Sequence, residues 1–237
     1  IHNIQQAVTS GFKEITLTGI NLGTWGMDRN ETFSSLVRDI VELPGDFRVR
    51  LSSINPMEID SDLIRLIAET EKLCSHLHIP LQSGDDAILK AMRRNYNRSQ
   101  YLEVVQRAIT AIPGLGLGAD VIVGFPGETE EGFENTRKLI EQLPFSYLHV
   151  FSYSPRRGTE AHQLKDDVPG NLKKQRNRNL TQLVNRKAFK FRENFLRQQE
   201  IVLIENQRDK KSGWLKGHTG NYIPVLVEGS DSLKNHL

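Results

Sequence analysis

In "DVIVGFPGETEEGF", residues 120–133, an apolar β-branched run stops at Gly124-Phe125-Pro126-Gly127 and a helix signal follows at once. Pro126 ends the strand because it has no N–H for a ladder, and the glycines on either side supply the freedom of a tight turn. Thr129 is placed to cap a helix, with Glu130 and Glu131 where the helix dipole is positive. Phe133, Ile140 and Leu143 then recur on one face, as a helix covering a sheet requires. The unit reads as strand, turn and covering helix over 130–143.

The same alternation extends in both directions. "EITLTG" (14–19) precedes a helix over 32–43, "FRVRLSS" (47–53) one over 61–70, and "HLHIPLQ" (76–82) helices starting at 85 and 98. "SYLHVFSY" (146–153) follows the opening unit. Strands alternating with helices predict an α/β chain built on a parallel sheet. Asn97 and Gln100 have capping-box spacing. "GLGLGAD" (114–120) mimics a dinucleotide fingerprint, but the strand-before, helix-after order is reversed, so it reads as a loop. Beyond Pro169 one long helix is expected over about 172–197, with Leu180, Leu183, Val184, Phe191 and Phe195 on an apolar stripe. Nine Lys or Arg against Glu193 alone, between 173 and 197, read as a solvated basic face ahead of direct RNA contact. "EIVLIENQ" (200–207) and "YIPVLVEG" (222–229) are strands of a small β module, with Lys210, Lys211, Trp214, Lys216 and Tyr222 interleaved. That mixture suits single-stranded RNA or, equally, a tiny core.

The totals bound the function. With 237 residues, 31 basic and 29 acidic side chains and a formal charge of +2, the chain carries no strong overall field. A single cysteine, Cys74, excludes an internal disulfide framework and points to a reducing compartment, the cytoplasm. The least charged stretch, 108–126, is broken by prolines, glycines and Asp120, so no membrane partner is expected.

In a parallel barrel, binding groups gather on the loops after the strands. Those loops are "TGINLG" (18–23), "SSINP" (52–56), "PLQSG" (80–84), "VGFPGE" (123–128) and "SYSPRRGT" (152–159). All are rich in small, turn-forming residues that expose backbone and let a flat ligand approach, with Gly124 and Gly127 clearing space. Alternation puts His76, His78 and Gln82 on one strand face and Leu77, Ile79 and Leu81 on the other. Two histidines without further ligands are weak for zinc, so lumen histidines held by hydrogen bonds are expected, His149 among them.

"HLHIPLQSGDDAILKAMRRNY" (76–96), "DVIVGFPGETEEGFENT" (120–136) and "SYLHVFSYSPRRGTEA" (146–161) resemble the methylthiotransferases of the radical S-adenosylmethionine (SAM) superfamily. "TGINLG", "LSSINPMEI" and "LHVFSYSPRRGT" resemble the threonylcarbamoyladenosine tRNA branch more than the isopentenyladenosine-tRNA or ribosomal-protein branches. The resemblance implies a partial parallel (β/α) barrel over 1–168, a long basic helix over 169–198, and a TRAM-like RNA-binding module over 199–237, incomplete at its end. It implies S-adenosylmethionine held against a [4Fe-4S] cluster, with a 5′-deoxyadenosyl radical abstracting hydrogen from C2 of the adenine before sulfur and methyl are installed. It further implies a second [4Fe-4S] cluster in an N-terminal domain, tRNA as partner, an electron donor for cluster reduction and a sulfur donor of unknown identity. By motif, Gly19 and Asn21 would meet the methionine amine, and Gln82 and Ser83 the ribose side. Ile122, Gly124 and Glu128 would cradle the adenine, and Arg94 would reach the carboxylate end.

A cluster with an open iron needs the thiolates of a C-x-x-x-C-x-x-C loop, which this sequence lacks; Cys74 is no family ligand. The expectation is a truncated chain, lacking the first strand and the N-terminal domain, that ligates no cluster and is inactive alone. Alternatives are a methylthiotransferase acting on a ribosomal-protein aspartate, a non-catalytic RNA-binding scaffold, and a metal-free phosphate-binding barrel enzyme. The last would need an acid–base pair; Glu58, Asp85 and Asp86 lie near strand ends, with Asp85 better explained as a helix cap.

Overall fold

The computed structural model describes residues 1–237. In chain order its elements are α1 (His2–Thr9), β1 (Glu14–Leu17), α2 (Phe33–Val41), β2 (Arg48–Leu51), α3 (Ser61–Glu69), β3 (His76–His78), α4 (Asp86–Ala91), α5 (Arg98–Ala111), β4 (Gly116–Val123), α6 (Glu130–Gln142), β5 (Tyr147–Ser152), α7 (Gly170–Glu193), β6 (Val202–Arg208), β7 (Leu215–Thr219) and β8 (Pro224–Val227). They fall into two compact units: Ile1–His78 with Arg107–Gly116 and Arg197–Leu237, and Ile79–Gln106 with Leu117–Leu196.

In the first unit β1 and β2 pair in parallel, Glu14 opposite Arg48 and Leu17 opposite Leu51. Parallel bridges from Val49 to Leu73 and from Ser53 to His78 set the third segment beside β2. Thr32 caps α2 through a reciprocal box with Ser35. Asp60 caps the N-terminus of α3 and also accepts from Ser34 Oγ at 2.8 Å, so one carboxylate starts one helix and ties it to the other. Val37, Ile40, Leu63, Ile64 and Ile67 are buried at helical spacing. Each such side chain removed from water contributes about 1.5–3 kcal/mol before entropy is counted.

The C-terminal strands form a separate antiparallel sheet in the order β6-β7-β8. They do not stand as a third body, although the sequence division at 198 and 199 would make them one. The reason lies on β2, where Arg48 and Arg50 point to the same side. Arg48 donates to the carbonyls of Ile201 and His218, and Arg50 to those of Thr219 and Gly220. Glu14 pairs with both guanidiniums, at 2.6 Å and 2.8 Å.

In the second unit residues 79–82, β4 and β5 run in parallel. Ile79 and Leu81 donate to Gly118 and Asp120, and Asp120 pairs with His149 across β4 and β5. Residues 116 and 117 are strand, contrary to the loop reading of "GLGLGAD". The glycines are there for close approach: a Cβ at Gly116 would overlap the Asn221 carbonyl, and one at Gly118 the Tyr147 ring. β7 was likewise absent from the sequence reading. Its "LKGHT" has no β-branched run and is a strand because β6 and β8 flank it.

The caps at Asp85, Thr129 and the Asn97–Gln100 box form as their spacing predicts. Helix α7 packs along β5 and α6. Its buried stripe is Leu180, Leu183, Val184 and Ala188, whereas Phe191 and Phe195 are half-buried and Phe195 lies past the helix end. No helix is long and apolar enough to cross a membrane.

Candidate functional site

In the first unit, the loop after β1 carries the exposed pair Gly19 and Asn21. Glu58, in the short helical turn after β2, reaches back to this loop. Its Oε2 accepts the Gly23 N–H at 3.1 Å, and Asn21, turned so that its amide donates, reaches Oε1 at 2.5 Å. Glu58 therefore has a role that the sequence did not fix: it holds the "NLG" turn so that Gly19 and Ile20 stay at the surface.

In the second unit, three loops gather at one end of a parallel set. Ile122 donates its N–H to the Gln82 carbonyl, and Tyr153 donates to that of Val123. Gln82 is buried at φ 62°, a left-handed conformation that ends its strand. Ser83 is fully buried, its hydroxyl 3.2 Å from Thr136 Oγ1, so its side chain secures the turn on α6. Arg94 is exposed at the end of α4, while the adjacent Arg93 pairs with Glu160. Ile122 is half-buried, and Phe151, its register partner on β5, is 53% exposed. Phe151 was missed because an apolar residue in an apolar strand gives no sign of which face it occupies.

The turn at 123–128 is held from behind. Glu128 Oε2 accepts the Gly124 N–H at 2.7 Å and Arg176 Nη1 at 2.7 Å, while Arg176 also donates to the Glu128 carbonyl and to Glu130. Lys173, one turn earlier on α7, pairs with Asp166 at 2.5 Å, and the neighbouring Asp167 accepts the Gly127 N–H at 2.9 Å. Lys173 and Arg176 are buried, which corrects the reading of the whole basic run as a solvated face. Gly124 is also corrected. At φ 71° its Cβ would overlap the Lys173 side chain, so this glycine makes room for Lys173. Gly127, at φ 82° with open space around it, is the one that leaves clearance. Burial raises the Glu128 carboxyl above its usual range despite the opposing Gly124 amide and Arg176. Its Oε1 and the Arg176 Nε are buried with no partner.

The histidines divide. His76 and His78 are buried as expected, with His76 pushed down to about 3 by burial and then by Arg50. His149, expected inside, is exposed on β5, flanked by the Tyr147 and Phe151 rings.

A family model for the radical SAM superfamily matches residues 4–140. The chain belongs to the radical SAM superfamily. This radical SAM chain is 39% identical over 236 residues to the tRNA-2-methylthio-N(6)-dimethylallyladenosine synthase of Protochlamydia amoebophila, covering 98% of this chain and 52% of the relative. It is 38% identical over 218 residues to the threonylcarbamoyladenosine tRNA methylthiotransferase MtaB of Thermotoga maritima (92% and 50%). With the MtaB of Rickettsia prowazekii the identity is 40% over 231 residues (96% and 53%). The chain thus spans about half the length of these curated relatives. In fold it is similar to coproporphyrinogen III oxidase of Escherichia coli, with TM-score 0.56 at 16% identity over 91% of this chain and 55% of that one. Methylornithine synthase gives 0.54 at 15% identity over 78% and 52%.

The superfamily implies S-adenosylmethionine and a [4Fe-4S] cluster, and the two fit these residues differently. An open Gly127, a half-buried Ile122 beside an exposed Phe151, and strand-end turns braced from behind suit a flat nucleoside in the second unit. The cluster does not fit the residues present. Cys74 is buried, its thiol pushed up to about 11 chiefly by burial, and no three His, Cys, Asp or Glu side chains are placed to hold a metal ion.

Proposed function

We propose that this chain is the core of a tRNA methylthiotransferase that places a methylthio group on C2 of N6-threonylcarbamoyladenosine. The observation that carries the reading is identity of 38–40%, over more than nine-tenths of the chain, to two relatives named as threonylcarbamoyladenosine tRNA methylthiotransferases and one named as a tRNA-2-methylthio-N(6)-dimethylallyladenosine synthase. The motifs "TGINLG" and "LHVFSYSPRRGT" favour the threonylcarbamoyl branch. The Protochlamydia relative, equally similar, supports dimethylallyladenosine as the second reading.

When bound, S-adenosylmethionine supplies the radical and the methyl group of this chemistry. Within the second unit, Ile122, the Gly124–Gly127 turn and Gln82 would line the adenosine, with Phe151 offering a ring face. Glu128 would act by fixing the Gly124 amide, and Ser83 by fixing the 82–85 turn on Thr136. The motif match makes Gly19 and Asn21 candidates for the methionine amine and Arg94 a candidate for its carboxylate. Activity of the complete protein, and inactivity of this chain without cluster ligands, belong to the same proposal.

Mass spectrometry of tRNA nucleosides from a deletion strain tests it. The expected result is loss of 2-methylthio-N6-threonylcarbamoyladenosine with the isopentenyl analogue retained. The reverse loss selects the second reading, and retention of both with loss of a methylthio-aspartate from ribosomal protein sinks the tRNA reading.

A further inference from the structure

We propose that the exposed face of α7 is a docking stripe for the phosphate backbone of the RNA substrate. The inference rests on the tRNA reading above and adds to it a surface outside the strand-end loops.

The basic residues of this helix are of two kinds. Lys173 and Arg176 are buried and answered by Asp166, Glu128 and Glu130, and Lys187 donates to the Glu141 carbonyl at 2.7 Å. On the opposite face, Asn171, Lys174, Gln175, Arg178, Asn179 and Gln182 line one shallow trough of about 410 Å³. The same arc continues through exposed Arg186 to Phe189, which is 59% exposed. From Lys174 to Arg186 it runs about 18 Å at 1.5 Å per residue.

A solvated helix face ordinarily intersperses carboxylates to make i,i+4 pairs. Across Gly170–Glu193 the only carboxylate is Glu193, at the end. Lys174–Arg178 and Arg186–Lys190 are like-charge pairs four residues apart, each destabilising by about 0.2–0.5 kcal/mol. The first turn also has no acidic residue to answer the positive end of the helix dipole. A helix that keeps cations where they weaken it, and surrounds them with amides, is complementary to a polyanion that accepts hydrogen bonds. Cations neutralise phosphates, Asn and Gln bond phosphate and ribose oxygens, and an exposed Phe offers a face to a base. The overall charge of +2 does not reveal this, because the surplus is local.

The test uses the complete, cluster-loaded protein that carries this chain, with K174E/R178E/R186E and its neutral counterpart K174Q/R178Q/R186Q. All three side chains are exposed, so circular dichroism should show both variants folded. tRNA affinity is read by fluorescence anisotropy at several salt concentrations. If each cation meets one phosphate, the slope of log K against log salt becomes shallower by about 2–3, and affinity at 0.1 M salt falls about 10- to 100-fold. S-adenosylmethionine binding, measured separately, should not change. Unchanged slope and affinity in both variants, with wild type binding tRNA normally, overturn the stripe and leave the tRNA reading intact. Wild type that binds no tRNA overturns the tRNA reading, and the stripe with it. Unchanged tRNA binding with slowed cluster reduction by an acidic electron-donor protein overturns the RNA assignment in favour of that partner.

Discussion

Glu14 and Glu128 are both buried carboxylates bonded to arginine, and their protons behave in opposite ways. Burial pushes the Glu14 carboxyl up, but His218, Arg50 and Arg48 together outweigh it and hold the group well below the usual range. Glu128 has one arginine and one backbone amide, one of its oxygens has no partner, and burial wins. The number of partners sets the direction: His218 and two arginines at Glu14 against one arginine and one amide at Glu128. The first arrangement holds the C-terminal sheet to β2, and the second holds a turn proposed to face a cofactor.

The largest expected effect comes from stranding Glu14. Arg50→Met leaves a buried carboxylate short of one of its two guanidiniums and should cost about 3–5 kcal/mol, read as a lower melting temperature in calorimetry. Arg176→Met should cost less, about 1–3 kcal/mol, because Glu128 is already drawn toward its neutral form. The pH window of the deficit, not its sign, separates the two sites, because losing either arginine raises its carboxyl but Glu128 starts above the usual range and Glu14 below it. Stability from a raised carboxyl is present below its unfolded value of 4.5 and lost as pH rises; Arg176→Met raises Glu128 further and extends that loss, so its deficit should grow from pH 4 to pH 7. A similar deficit at both pH values would remove the distinction.

Acid stability sharpens the contrast further. His76, lowered to about 3, contributes stability present above 6.5 and lost as pH falls from there toward 3. Glu14, also lowered, adds stability present above 4.5 and lost below it. Wild type should therefore weaken from about pH 6.5 downward and more steeply below 4.5, with Glu14→Gln flattening only the lower limb in a melting-temperature series. Gly124→Ala comes next. It adds a left-handed alanine at φ 71° and displaces Lys173, costing about 2 kcal/mol, whereas Gly127→Ala costs about 1 kcal/mol from backbone strain alone. Equal denaturant midpoints for the two would contradict the role given to Lys173. Smallest is a rate effect with no stability cost: native Cys74 should resist iodoacetamide at pH 8 and react once unfolded.

Local signals were legible to within a residue or two. Thr129, Asp85 and the Asn97–Gln100 box cap where their spacing says, since each bond spans only two or three residues. The strand-end loops were legible as loops, but what each residue does there was not. Ser83, Gly124 and Glu128 face partners 53, 49 and 48 positions away, at Thr136, Lys173 and Arg176. Arg48 and Arg50 look like outward residues of an alternating strand, and they are buried because carbonyls some 150 to 170 positions later come to meet them.

By itself, then, the sequence determined the alternation of strands and helices up to α7, the caps and the family, because periodicity, capping and motif spacing act over short separations. Tertiary structure alone decided which charges are buried, which glycine is open and which proton is held. Those depend on how many partners the fold brings to one atom and how much water it removes.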